Sequence, residues 1–168
     1  MSSDTSTKST DTHRAPMTQA LTEDLRHFLD ANTVGVLATP AVDGRPRQSL
    51  VYYVRDADRV LISTLTDRLK ARDVRRSGWA SLCVMGHEPP YPSATLSGPA
   101  EILTENIGAA TAAIMQRIAK AAEPPEPMND KALAEIGRVI LAMTVERVTA
   151  QNYIPATTQA GEEGDEHA

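Results

Sequence analysis

Cysteine is almost missing from this chain: Cys83 is the single one in 168 residues. An internal disulfide is therefore excluded, and a lone thiol fits a reducing compartment. Aromatic residues make up 4% of the sequence, so the core has to be built from Val, Leu, Ile, Ala and Met. No apolar run approaches the ~20 residues needed to span a bilayer. The stretch up to Pro16 has no hydrophobic segment, so no secretory signal is expected, and the chain reads as cytoplasmic. A net charge of -5 argues against nucleic acid as the partner. Gly-x-Gly-x-x-Gly, P-loop and Gly-x-Ser-x-Gly patterns are all missing, which removes the usual nucleotide cradles and a serine nucleophile elbow. His13, His27, His87 and His167 are scattered, and Cys83 with His87 lacks zinc-ligand spacing, so no metal site is expected.

What is present is an uneven distribution of charge. Residues 1–16 are mostly Ser, Thr, Asp and Lys, and residues 156–168 hold Glu162, Glu163, Asp165 and Glu166 with no large apolar side chain. Both read as disordered tails around a domain at 17–155. The body between them is nearly neutral, with 16 acids and 15 bases. Against that balance, Arg68-Leu-Lys70-Ala-Arg72-Asp73-Val74-Arg75-Arg76 carries five bases and one acid.

Apolar residues at helical spacing (Leu21, Leu25, Phe28, Leu29) predict an amphipathic helix over 18–31. Val34–Thr39 and Gln48–Val54 read as strands joined by an Asp43-Gly44 hairpin, and Arg59–Thr64 completes a three-stranded meander. A short helix over 67–77, capped by Thr66 or Asp67, follows. Ala80–Met85 and Ala94–Leu103 are the fourth and fifth strands, the latter with a bulge or edge at Gly98-Pro99. A helix is expected over 106–123, a further turn or two over 131–137, and a sixth strand at Val139–Val148. Six mainly antiparallel strands with few helices argue for a closed or partly closed barrel.

The basic cluster has two readings. A solvated face is the simpler one. The sharper one is a phosphate site: Thr64 and Thr66 supply hydroxyls, the helix start supplies free amides and the positive dipole end, and Arg68 and Lys70 supply charge.

The ordered set Gly35-Val-Leu-Ala-Thr39, Asp43-Gly44-Arg45-Pro46, Val60-Leu-Ile-Ser-Thr64, Arg68-Leu-Lys70-Ala-Arg72, Ala80-Ser-Leu-Cys-Val84 and Leu96-Ser-Gly98-Pro-Ala100-Glu101 resembles the split β-barrel flavin/deazaflavin oxidoreductases. These are the pyridoxamine 5′-phosphate oxidase-like superfamily, and the resemblance is strongest to its F420-dependent branch. It covers about Leu21 to Tyr153 and implies a mainly β, six-stranded antiparallel split barrel. It also implies a homodimer with cofactor sites at the interface. Carried over, Arg68 and Lys70 fall on the phosphate-binding pair, with Ser63 and Thr64 at the strand end beside it. Gln48, Ser49, Leu50 and Val51 fall on the strand that the ring packs against. Tyr91 falls where the partner supplies an aromatic wall, and Tyr153 on a C-terminal aromatic near the site. Two departures stand out: Asp73 occupies a position where the family often has Asn, and Ser77-Gly78-Trp79 replaces Asp-Pro-Arg. The implied reaction is hydride transfer between F420 and a small organic substrate, with the ring carrying the chemistry. The alternatives are an FMN-dependent oxidoreductase or oxidase, and a protein that binds F420 or flavin without turnover. Pyridoxamine 5′-phosphate oxidase proper is disfavoured, because Thr-Ala-Gln-Asn-Tyr-Ile-Pro after Val148 lacks its Arg- and His-bearing substrate motif. Tyr52, Tyr53 and Tyr91 are candidate proton donors, and a packed aromatic with a wet hydroxyl describes each more simply.

Overall fold

A computed structural model describes residues 21–152, so the two tails and Tyr153 lie outside the described residues. The elements run α1 (Glu23–Ala31), β1 (Val34–Pro40), β2 (Pro46–Tyr52), β3 (Val54–Asp56), β4 (Arg59–Leu65), α2 (Leu69–Ser77), β5 (Trp79–Met85), β6 (Ser93–Leu103), α3 (Gly108–Ala119), α4 (Asp130–Glu135), β7 (Arg138–Thr144) and β8 (Arg147–Gln151). The strands pair antiparallel in the order β2-β1-β5-β6-β7-β4-β3, with β8 added alongside β6. This is a split barrel: the two ends of the path, β2 and β3, are consecutive in the chain and joined through Tyr53.

Eight strands stand where the sequence predicts six, because two of the expected strands change partner midway. The second breaks at Tyr53, where the chain passes from β1 on one edge to β4 on the other. Tyr53 is fully buried and its hydroxyl donates to the Leu29 carbonyl at 2.7 Å, pinning the break beneath α1. The sixth breaks after Thr144. Ala100 pairs with Met143 and Ser97 with Arg147, so Thr144, Val145 and Glu146 oppose only Gly98 and Pro99. The predicted bulge is therefore present, with the extra residue on the opposite strand. Gly98 is required there, since a Cβ would sit 1.9 Å from the Thr144 carbonyl oxygen.

Alternation along the strands builds two cores. Val60, Ile62, Leu37, Leu82, Leu96, Leu141 and Met143 fill the barrel with Leu25 and Leu29 of α1. Leu61, Ile140 and Ala142, on the other face of β4 and β7, pack with Ile107, Ile114 and Leu133 under α3 and α4. Helix ends follow local chemistry. Thr22 caps α1 by accepting from the Leu25 amide at 3.3 Å, and Asn129 caps α4 through the Ala132 amide at 2.9 Å. Asp130 accepts from the Asn106 and Ile107 amides at the start of α3.

Candidate functional site

The start of α2 differs from those helix ends. Its N-cap is Arg68 rather than the predicted Thr66 or Asp67, and no side chain caps it. The first turn holds no acid but does hold Lys70. Cations at the positive end of a helix dipole are unfavourable, and the free amides there want an acceptor. Lys70 is half-buried; burial, and then the charge of Arg68, lower its ammonium below the ordinary lysine value. Neither Arg68 nor Lys70 has a carboxylate partner among the described residues. Five residues before Arg68, on β4, the Ser63 hydroxyl oxygen is buried without a hydrogen-bond partner. Donors, charge and a buried unpaired hydroxyl at one strand–helix junction fit a phosphate.

Ser63 and Thr64 are consecutive in β4 and so point to opposite faces. Ser63 shares its face with Leu61 of the outer core, and Thr64, 6% exposed, shares the barrel side with Ile62. Of the two, Ser63 is the one whose unpaired oxygen is sealed from solvent. The predicted β2 residues divide in the same way. Val51 is buried in the barrel core, Ser49 is half-buried, and Gln48 and Leu50 are exposed on the outer face.

Asp73, which departs from the family pattern, is buried and fully partnered. It accepts from Arg47 Nε at 2.8 Å and from Thr39 Oγ1 at 3.1 Å, and Arg76 lies 3.6 Å away. Burial pushes its carboxyl up, but the bonds from Arg47 and Thr39 and the charges of Arg47 and Arg76 outweigh that and hold it below the ordinary value. Its charge is thus spent within the fold, binding α2 to β1 and β2. Arg75 donates to the carbonyl and hydroxyl of Thr66, and Arg76 donates to the Pro40 carbonyl. Arg47, Thr39 and Arg75 escaped sequence reasoning; their partners are 9 to 34 residues away in the chain.

The remaining predicted residues sit elsewhere. Tyr91 is exposed in the loop after β5. Arg68 and Lys70 follow the end of β4, which shares one end of the barrel with the start of β5. Loop 86–92 lies at the far end, a seven-residue strand or roughly 20 Å away. Residues 86–90 and Pro92 of that loop, but not Tyr91, line a cleft of about 510 Å³ with Phe28, Ala31, Asn32 and Asn152. Tyr53 is fully buried with its hydroxyl donated to the Leu29 carbonyl, and burial raises its phenol far above the ordinary value, as for a packed structural residue. Among the described residues no cluster of His, Cys, Asp or Glu could hold a metal ion, and no helix is long and apolar enough to cross a membrane.

One face of the sheet exposes several large apolar side chains. The outer face across β2, β1 and β5 presents Leu50 (75% exposed), Met85 (57%), Val36 and Tyr52, with Cys83 exposed opposite Val36.

Residues 21–152 match the family described as pyridoxamine 5′-phosphate oxidase. Among solved structures, an F420 reductase aligns with a TM-score of 0.60 at 24% identity, over 74% of this chain and 94% of that one. An FAD-binding protein from Mesorhizobium loti aligns at 0.57 and 24% identity, over 74% and 88%. A conserved hypothetical protein from Mycobacterium tuberculosis aligns at 0.63 and 18% identity, over 92% and 97%. At these identities the structures speak for the fold, and the family match for membership. The chain belongs to the pyridoxamine 5′-phosphate oxidase family, within the split-barrel superfamily of flavin and deazaflavin oxidoreductases.

Proposed function

We propose that this protein is an F420H2-dependent oxidoreductase that transfers a hydride between a deazaflavin and a small organic substrate, working as a cytoplasmic homodimer. The observation that carries the reading is the uncapped, doubly cationic start of α2, reached from a strand whose Ser63 hydroxyl is buried and unpaired. F420 carries a phosphodiester, and such a group satisfies all of these donors at once. FMN carries a phosphate too, so an FMN enzyme on the same site is the second reading. A bound ring supplies the hydride chemistry; the protein binds, orients and shields it. Arg68, Lys70, Ser63 and the α2 amides hold the phosphate, while β2 lies along the ring. Tyr91, at the far end of its own barrel, serves the site of a second copy, and the apolar outer face of β2, β1 and β5 is the surface that copy covers. No side chain of one copy is assigned as general acid.

Titration of F420 and FMN separately into wild type and Lys70→Ala tests this. A charge-assisted bond contributes ~1.5–3 kcal/mol, so the variant should bind about ten- to a hundredfold more weakly. Added salt should weaken wild type more than the variant. A solvated basic face predicts no change in either. Binding of FMN alone installs the second reading, and binding without turnover leaves a carrier of the cofactor. Failure of both cofactors to bind below millimolar ends the oxidoreductase assignment.

A further inference from the structure

Arg138 opens β7 directly opposite Leu65, the last residue of β4. The Thr66 amide donates to the Gly137 carbonyl at 2.8 Å, so the start of β7 is tied to the junction that leads into α2. Ser63 pairs with Ile140, which makes Ser63 and Arg138 diagonal neighbours on one face, within reach of a long side chain. The Ser63 hydroxyl and Arg138 Nε are both buried, and neither has a hydrogen-bond partner among the described residues. Arg138 also has no carboxylate within ion-pair distance among those residues. A third orphan, the Thr111 hydroxyl, belongs to the buried side of α3, which packs against β4. A buried guanidinium nitrogen is a donor that lacks an acceptor, and arginine stays charged at any accessible pH. Two such unpaired groups side by side ask for an oxygen-rich anion.

We propose that Arg138 is a third cation of the α2 phosphate site, donating with Ser63 to the phosphate of a phosphorylated ring ligand and selecting it over the unphosphorylated ring. This deepens the phosphate reading of the same site and rests on it.

Fluorescence titrations with FMN, F420 and riboflavin, which lacks the phosphate, test it on the full chain. Wild type, Arg138→Gln and Arg138→Lys are compared at low and high salt, with apo melting temperatures recorded for each. The expected result is a tenfold or greater loss of FMN or F420 affinity in Arg138→Gln, a shallower salt dependence, and unchanged riboflavin binding. Arg138→Lys should fall between the two. FMN and F420 affinities within twofold of wild type, or an equal loss of riboflavin, overturn the assignment while leaving the proposed function standing. Should Arg138→Gln fail to fold, Arg138→Lys decides alone: a severalfold loss upholds the proposal and wild-type affinity overturns it. Should wild type bind none of the three, the oxidoreductase reading fails. Inorganic pyrophosphate then tests the site by itself, and only an Arg138-dependent rise in melting temperature upholds it.

Discussion

Replacing Asp73 with Ala should be among the most damaging polar substitutions in this domain. The carboxylate is 3% exposed and takes hydrogen bonds from Arg47 at 2.8 Å and Thr39 at 3.1 Å. Removing one partner of a buried pair costs ~3–5 kcal/mol when the orphaned charge stays buried. The Arg47 side chain is 35% exposed and can rehydrate in part, which brings the expected loss to about 2–3 kcal/mol. For a domain of this size that lowers Tm by roughly 6–12 °C. Asp73→Asn keeps an acceptor for Thr39 and loses only the charge, so about half that loss is expected. The pH dependence has a definite sign. The folded carboxyl titrates below its unfolded value, so its contribution is fully present above about pH 4. It is lost as pH falls through the lower folded value. Urea denaturation of wild type and both variants at pH 7, 5 and 3 checks this. The penalty of each variant should be largest at pH 7 and should shrink by pH 3. A difference under about 0.5 kcal/mol at pH 7, or a penalty that does not change with pH, refutes the account of Asp73 as a brace.

Gly98→Ala places a methyl where the Thr144 carbonyl already stands, and neither backbone can give way without breaking the bulge. A loss of at least about 3 kcal/mol is expected by urea denaturation, and a variant as stable as wild type would contradict the corner at Gly98. Leu50→Asp puts a charge on the most exposed apolar side chain of that outer face, on its edge strand β2. Sedimentation at micromolar concentration should give twice the chain mass for wild type, through an interface of ~2,000 Å2 or more, and a shift toward the single chain in the variant. Wild type sedimenting as a single chain refutes the dimer.

Local signals made most of the barrel readable. Short apolar runs rich in strand formers marked β1, β4, β5 and β6, and Asp43-Gly44 marked the first hairpin, because both are set by residues near in sequence. The places where a strand changes partner were not readable. Tyr53 ends β2 because it must reach Leu29, and nothing in Gln48–Val54 announces that contact. The site shows the same division. Arg68 and Lys70 stood out as part of a run, whereas Arg138, an isolated arginine at a strand start, resembles any solvent-facing end residue. Only the register against Leu65 brings it to the junction. One signal was available and unused: strict alternation in β4 already forbids Ser63 and Thr64 from meeting the same group through their side chains.

The basic run itself divides once its partners are known. Arg75 and Arg76, in the last turn of α2, are committed inside the fold: one holds Thr66, the other reaches the Pro40 carbonyl and Asp73. They lie where a helix dipole favours cations. Arg68 and Lys70, at the other end, lie where the dipole disfavours them, and they hold no carboxylate among the described residues. A solvated face would scatter its charges without regard to the dipole; Arg72, exposed and beyond the first turn, is the member of the run that it describes best. The cluster is therefore two devices on one nine-residue helix. Its C-terminal half, with Asp73, clamps the helix to β1 and β2. That clamp fixes the position of the N-terminal half, whose unfavourable charges the proposed phosphate would relieve. Weakening the clamp should loosen the anion site at a distance, whereas removing Lys70 should leave the clamp and the fold intact.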